Sequence, residues 1–82
     1  MSEQKTYTET LIRLVTPLVG EPEFMKVDER REESAVTLTL AVHPDDMGRI
    51  IGRGGETIRG VRNLIEFAGA QAGDSVLVDI KE

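Results

Sequence analysis

The chain of 82 residues contains no cysteine and no tryptophan, and its only aromatic residues are Tyr7, Phe24 and Phe67. Without thiols neither a disulfide framework nor a thiolate metal site can be built, an absence that suits a reducing compartment. Three dispersed aromatics do not make the multi-aromatic stacking sheet on which an RRM relies. There is one histidine, His43, followed by Pro44 at the start of a helical pattern, where helix entry or capping is the expected role. With no nucleophile–base pair and no metal-ligating cluster legible, the sequence points away from an enzyme and calls for no cofactor. The opening MSEQKTYTET lacks the apolar region of a signal peptide, and no apolar run approaches the length of a membrane span. A soluble cytoplasmic protein is expected. Its length gives room for one small domain with a thin core, over residues 1–82, with residues 1–7 as a flexible tail.

Basic charge is scarce as well. The formal net charge is −5, which taken alone argues against a nucleic-acid partner. The distribution argues otherwise. Between Met47 and Ile65 stand Arg49, Arg53, Arg59 and Arg62 against Glu56 alone, a local charge of +3 that leaves −8 for the remainder. An ordinary solvated helix face would not need arginine of one sign throughout this window, so it reads as a basic patch on an otherwise acidic body.

The remaining segments carry clear periodicities. Leu11, Leu14, Val15 and Leu18, with Tyr7 one turn earlier, predict a helix over Thr8–Val19 that Pro17 should bend or end near its last turn. Gly20-Glu21-Pro22 then breaks the chain. Met25–Arg31 alternates weakly, and Arg30-Arg31-Glu32-Glu33-Ser34 reads as a charged, solvated hairpin tip. Ala35–Val42 is the clearest strand, with Val36, Leu38, Leu40 and Val42 on one face and Ala35, Thr37, Thr39 and Ala41 on the other. A last strand over Ser75–Ile80 places Val76, Val78 and Ile80 together.

Between these strands lies HPDDMGRIIGRGGETIRGVRNL, from His43 to Leu64. Met47, Ile50 and Ile51 form one apolar helical turn, with Pro44 at a tolerated first-turn position and Asp45 and Asp46 placed to complement the helix dipole. Ile58, Val61, Ile65, Ala68 and Ala72 step along a second helix that begins near Glu56, and Gly73 closes it. The two helices meet at Gly52-Arg53-Gly54-Gly55, three glycines in four positions. Such a turn permits positive φ, leaves no Cβ against a docked group and faces the free N–H groups of the second helix. It suits a phosphate backbone. No Gly-Lys-Ser/Thr completes a P-loop, and Thr57 stands where a dinucleotide fingerprint needs its third glycine.

The run Ile50-Ile51-Gly52-Arg53-Gly54-Gly55-Glu56-Thr57-Ile58 resembles the I-I-G-x-x-G-x-x-I core of the KH domain, whose GxxG loop clamps about four nucleotides of single strand. The order helix, strand, strand, helix, GxxG, helix, strand resembles the type II KH arrangement, an α+β fold in which three helices cover one face of a three-stranded sheet. The P-D-D-M-G-R-I-I-G-R-G-G run is similar to that of the small bacterial single-KH-domain family KhpA. The resemblance implies broad RNA binding, a homodimer, pairing with a larger Jag-type KH protein, and a role in post-transcriptional control, cell elongation and division. Two positions depart from the family pattern. Gly54 stands where many members carry a basic residue, and Gly60 where alanine is usual, at about 1 kcal/mol of helix propensity.

The resulting site expectation is a clamp on single-stranded RNA formed by Arg49, Ile50, Ile51, Gly52, Arg53, Gly54, Gly55, Thr57, Ile58, Arg59 and Arg62, with no metal. Bases are expected in an apolar groove between the helix ending at Ile51 and the strand Val36–Val42, with low sequence specificity. On the second helix, Gly60, Leu64, Phe67 and Gln71 fall on a separate stripe. They are the candidates for a homodimer interface, unless the N-terminal helix covers them. The alternative function is a protein-interaction module that mainly dimerises or holds a partner.

Overall fold

A computed structural model describes residues 6–81. Helix α1 (Thr6–Val15) gives way to a 3₁₀ turn at Thr16–Leu18, with Pro17 at its centre, which is the bend that proline dictates. After a second 3₁₀ turn at Pro22–Phe24 come β1 (Lys26–Glu32) and β2 (Ala35–Ala41). Then follow a 3₁₀ turn at Pro44–Asp46, α2 (Met47–Ile51), a 3₁₀ turn at Arg53–Gly55, α3 (Glu56–Gln71) and β3 (Ser75–Lys81). Residues 1–5 of the expected tail lie outside the described residues, whereas Thr6 and Tyr7 belong to α1.

The three strands form one mixed sheet in the order β1-β2-β3. β1 and β2 are antiparallel with Val27 opposite Leu40, and β2 and β3 are parallel with Leu38 beside Val78. The hairpin turn is tighter than the charge pattern suggested. Arg30–Glu32 stay in the strand, and Glu33 turns the chain with a φ of 56°.

Period-two alternation in the strands and 3.6-residue periodicity in the helices meet at one core. Val36, Leu38 and Leu40 of β2 and Val76 and Val78 of β3 are buried against Tyr7, Leu11 and Val15 of α1, Ile50 of α2, and Ile58, Val61 and Ile65 of α3. The three helices therefore cover one sheet face, and the α+β, type II arrangement expected from the element order is the one observed. One expected core position differs. Ala72 is exposed because α3 ends at Gln71, and Gly69 is buried in its place. A Cβ on Gly69 would stand 2.5 Å from Val76 Cγ2, so glycine is what lets α3 approach the start of β3.

Two polar ties hold distant parts of the chain together. Tyr7 donates its hydroxyl to Asp74 Oδ2 at 2.6 Å, and Arg31 donates two N–H groups to the same carboxylate at 3.2 Å each. Arg31 and the Tyr7 hydroxyl together hold the Asp74 carboxyl below the usual range, while the bond to Asp74 raises the Tyr7 hydroxyl. This one carboxylate joins the start of α1, the end of β1 and the turn after α3. The second tie involves Asp46 and belongs to the site.

Candidate nucleic-acid interface

His43 opens the segment as the helix cap: its Nδ1 accepts the Asp45 N–H at 3.0 Å, and Pro44 takes the first helical position. Asp46 does more than complement a dipole. It is buried, at 2% exposure, and its two carboxylate oxygens accept the N–H groups of Gly20 at 2.9 Å and Glu21 at 3.0 Å. Those bonds outweigh the cost of burial and hold its carboxyl below the ordinary range. Arg49, one turn along, lies 3.7 Å from the same carboxylate, and its guanidinium packs beside Gly20. The loop after α1 is thus pinned to the first turn of α2.

The glycine turn follows directly. Gly52 has φ 78° and ψ 173°, a conformation that is essentially glycine's alone, and a Cβ there would collide with the Thr57 hydroxyl. Gly54 (φ 62°, ψ 17°) and Gly55 (φ 79°, ψ 14°) are left-handed, and a Cβ at either would meet nothing within 4 Å. So Gly52 locks the turn to α3, and Gly54 and Gly55 give it an open tip. The Gly55 N–H is taken by Gly52 O at 3.1 Å and the Glu56 N–H by Arg53 O. Among the described residues the N–H groups of Arg53 and Gly54 have no acceptor, and these are the amides at the exposed tip.

The four arginines separate into distinct placements. Arg53 stands exposed at the tip. Arg59 reaches back from α3 to Gly54 O at 3.4 Å, which brings its charge to the loop. Arg49, on α2, carries its guanidinium toward Asp46 and Gly20 at the start of that helix. Arg62 is set apart, for its Nε donates to Val78 O of the edge strand β3 at 2.9 Å. Ile50 and Ile58 are core residues, and Ile51 is only partly covered. Val36, Leu38 and Leu40 are enclosed in the core, so they do not line the groove expected between α2 and the strand Val36–Val42. Val42, beyond the strand, is half-exposed and lines a shallow depression of about 410 Å³ with Pro44, Met47 and Lys81 at the start of α2. Gly60, Leu64, Phe67 and Gln71 are all exposed, with Leu64 at 57% and Phe67 at 66%, so α1 does not cover the stripe.

A helix–strand–strand–helix–helix–strand order, a three-stranded mixed sheet covered on one face, and a GxxG turn joining α2 to α3 define a KH domain of type II. The comparisons agree, as the family model for the KhpA/KhpB KH domain matches residues 8–80. The chain belongs to that family. It is similar to proteins named RNA-binding protein KhpA from Streptomyces coelicolor, 39% identical over 72 residues (88% of this chain and 87% of that one), and from Bacillus subtilis, 33% identical over 70 residues (85% and 86%). A third, from Listeria monocytogenes, is 30% identical over 74 residues and matched along 97% of its length.

Proposed function

We propose that this protein binds single-stranded RNA of low sequence specificity by clamping its backbone on the Gly52–Gly55 turn. One observation carries this: the turn holds an exposed tip where a Cβ on Gly54 or Gly55 would meet nothing, with the Arg53 and Gly54 N–H groups without an acceptor among the described residues and the Arg53 and Arg59 side chains beside them. Phosphate oxygens accept from those amides and from the guanidinium groups, while Arg49 serves a flanking phosphate. Gly52 and Thr57 hold the turn against α3, and bases pass along α2 past Ile51 toward the depression at Met47. Arg62, engaged at β3, contributes long-range charge. Ile50 and Ile58 act from within the core by keeping the two helices in register. The chemistry is binding, not catalysis. The relatives' names as RNA-binding proteins support the same substrate class.

The experiment is a fluorescence-anisotropy titration with single-stranded RNA across salt concentrations. With two to four phosphate contacts, log K falls against log salt with a slope of roughly −1.5 to −3, at about −0.7 per contact for single strands. A slope near zero means the arginines do not meet phosphate.

A second surface extends this role. The exposed Leu64 and Phe67, with Gly60 and Gln71 on the same stripe, offer a symmetric helix contact to a second copy, or a seat for a Jag-type KH partner. A homodimer joins two weak RNA sites on one particle and raises avidity. The same stripe favours the alternative in which holding a partner is the main role. The cellular setting in the proposed function, post-transcriptional control linked to cell elongation and division in the cytoplasm, rests on family membership.

A further inference from the structure

The clamp sits at the loop end of α2, and the path proposed for the bases runs toward its other end. There Phe24, in the Pro22–Phe24 turn, is 51% exposed and meets His43 edge to face, with ring centroids 4.8 Å apart and planes at 82°. In that geometry His43 occupies at most one face of the phenyl ring, whichever ring supplies the edge, and about half of the residue's surface stays exposed. His43 is itself held, because its Nδ1 accepts the Asp45 N–H. A lone exposed aromatic is commonplace. This one touches His43, whose chain neighbours Val42 and Pro44 line the depression shared with Met47 and Lys81. The patch begins at Pro44 and the glycine turn at Gly52, so α2 and its preceding turn separate them by roughly 12–16 Å at helical rises. A strand clamped at the turn and running along α2 reaches it within a few nucleotides.

We propose that Phe24, braced by His43, is a stacking platform for the base immediately outside the clamped tetranucleotide, with Lys81 beside that nucleotide's phosphate. This rests on the clamp described above. Stacking is tolerant of base identity because every base has a π-face, so the platform adds affinity without sequence preference.

The test compares Phe24→Leu, which keeps an apolar side chain and removes the π-face, with wild type on a tetranucleotide and an octanucleotide of one RNA sequence. Phe24→Leu is expected to weaken the octanucleotide roughly five- to tenfold and to leave the tetranucleotide unchanged. An abasic site at the stacked position lowers wild-type affinity by the same factor and leaves the variant unaffected. A 2-aminopurine base scanned along the octanucleotide is expected to be quenched by wild type at one position outside the tetranucleotide, a readout that needs no variant to fold. Equal octanucleotide affinity for Phe24→Leu and wild type, or no position-specific quenching outside the tetranucleotide, overturns the platform while leaving the clamp intact. Failure of wild type to bind either RNA overturns the clamp, and the platform with it.

Discussion

The buried carboxylate of Asp46 accepts the backbone N–H of Gly20 at 2.9 Å across 26 residues of chain, and of Glu21 beside it. This bond joins the loop after α1 to the first turn of α2, and so to the glycine turn one helix length away. Because the bonded form is the anion, the folded-state carboxyl lies below its unfolded value of about 3.9. The same holds for Asp74 with Arg31 and Tyr7. The sign follows: both contributions are fully present above about pH 4 and are lost as pH falls through the folded values. Thermal melts from pH 7 downward are expected to show a steady Tm to about pH 4–5 and a steep fall below it. Asp46→Asn should lower Tm at pH 7 and flatten that fall, since it removes one of the two titrating carboxylates. An acid limb as steep in the variant as in wild type contradicts this assignment.

Two glycines of α3 carry opposite expectations. Gly60 is exposed with open space around its missing Cβ, so Gly60→Ala should stabilise the monomer by about 1 kcal/mol through helix propensity. Gly69 lies 2.5 Å, by its missing Cβ, from Val76, so Gly69→Ala should destabilise by about 1–3 kcal/mol through overpacking. Urea unfolding of the two variants measures both, and a stabilised Gly69→Ala contradicts the close approach of α3 to β3.

The exposed stripe predicts self-association. Analytical ultracentrifugation at high micromolar concentration should give a dimer for wild type and a folded monomer for Leu64→Asp, since a charge beside Phe67 disfavours burying the stripe. A wild type that remains monomeric rules the stripe out as a dimer contact.

Most of this architecture was legible in the sequence, because both periodicities face the same core. Val36, Leu38 and Leu40 alternate and are buried; Ile58, Val61 and Ile65 step by three and four and are buried. The Gly52–Gly55 turn was legible because three clustered glycines between apolar turns have few other uses. What escaped depends on distance along the chain. The partners of Asp46 lie 25 and 26 residues away, and Tyr7 and Asp74 are 67 apart, so no local pattern announces them. Which residues line a groove beside α2 escaped too, because an alternating apolar face looks the same whether it lines a cleft or fills a core. Arg62 was a candidate for a flanking phosphate whose direction depended on the rotation of α3, and its bond to Val78 O, 16 residues away, is another contact that no local pattern announces.

The central claim is that the glycine turn is where RNA binds, and the variant Arg53→Asp/Gly54→Asp tests it most directly. Gly54 adopts a left-handed conformation that aspartate tolerates better than most residues, and its missing Cβ faces open space, so the fold should persist. The measurement is single-stranded RNA affinity by anisotropy, with circular dichroism and a melt on the same sample. The account predicts a native spectrum, a cooperative melt and loss of RNA binding. A folded double variant that binds RNA as tightly as wild type contradicts it.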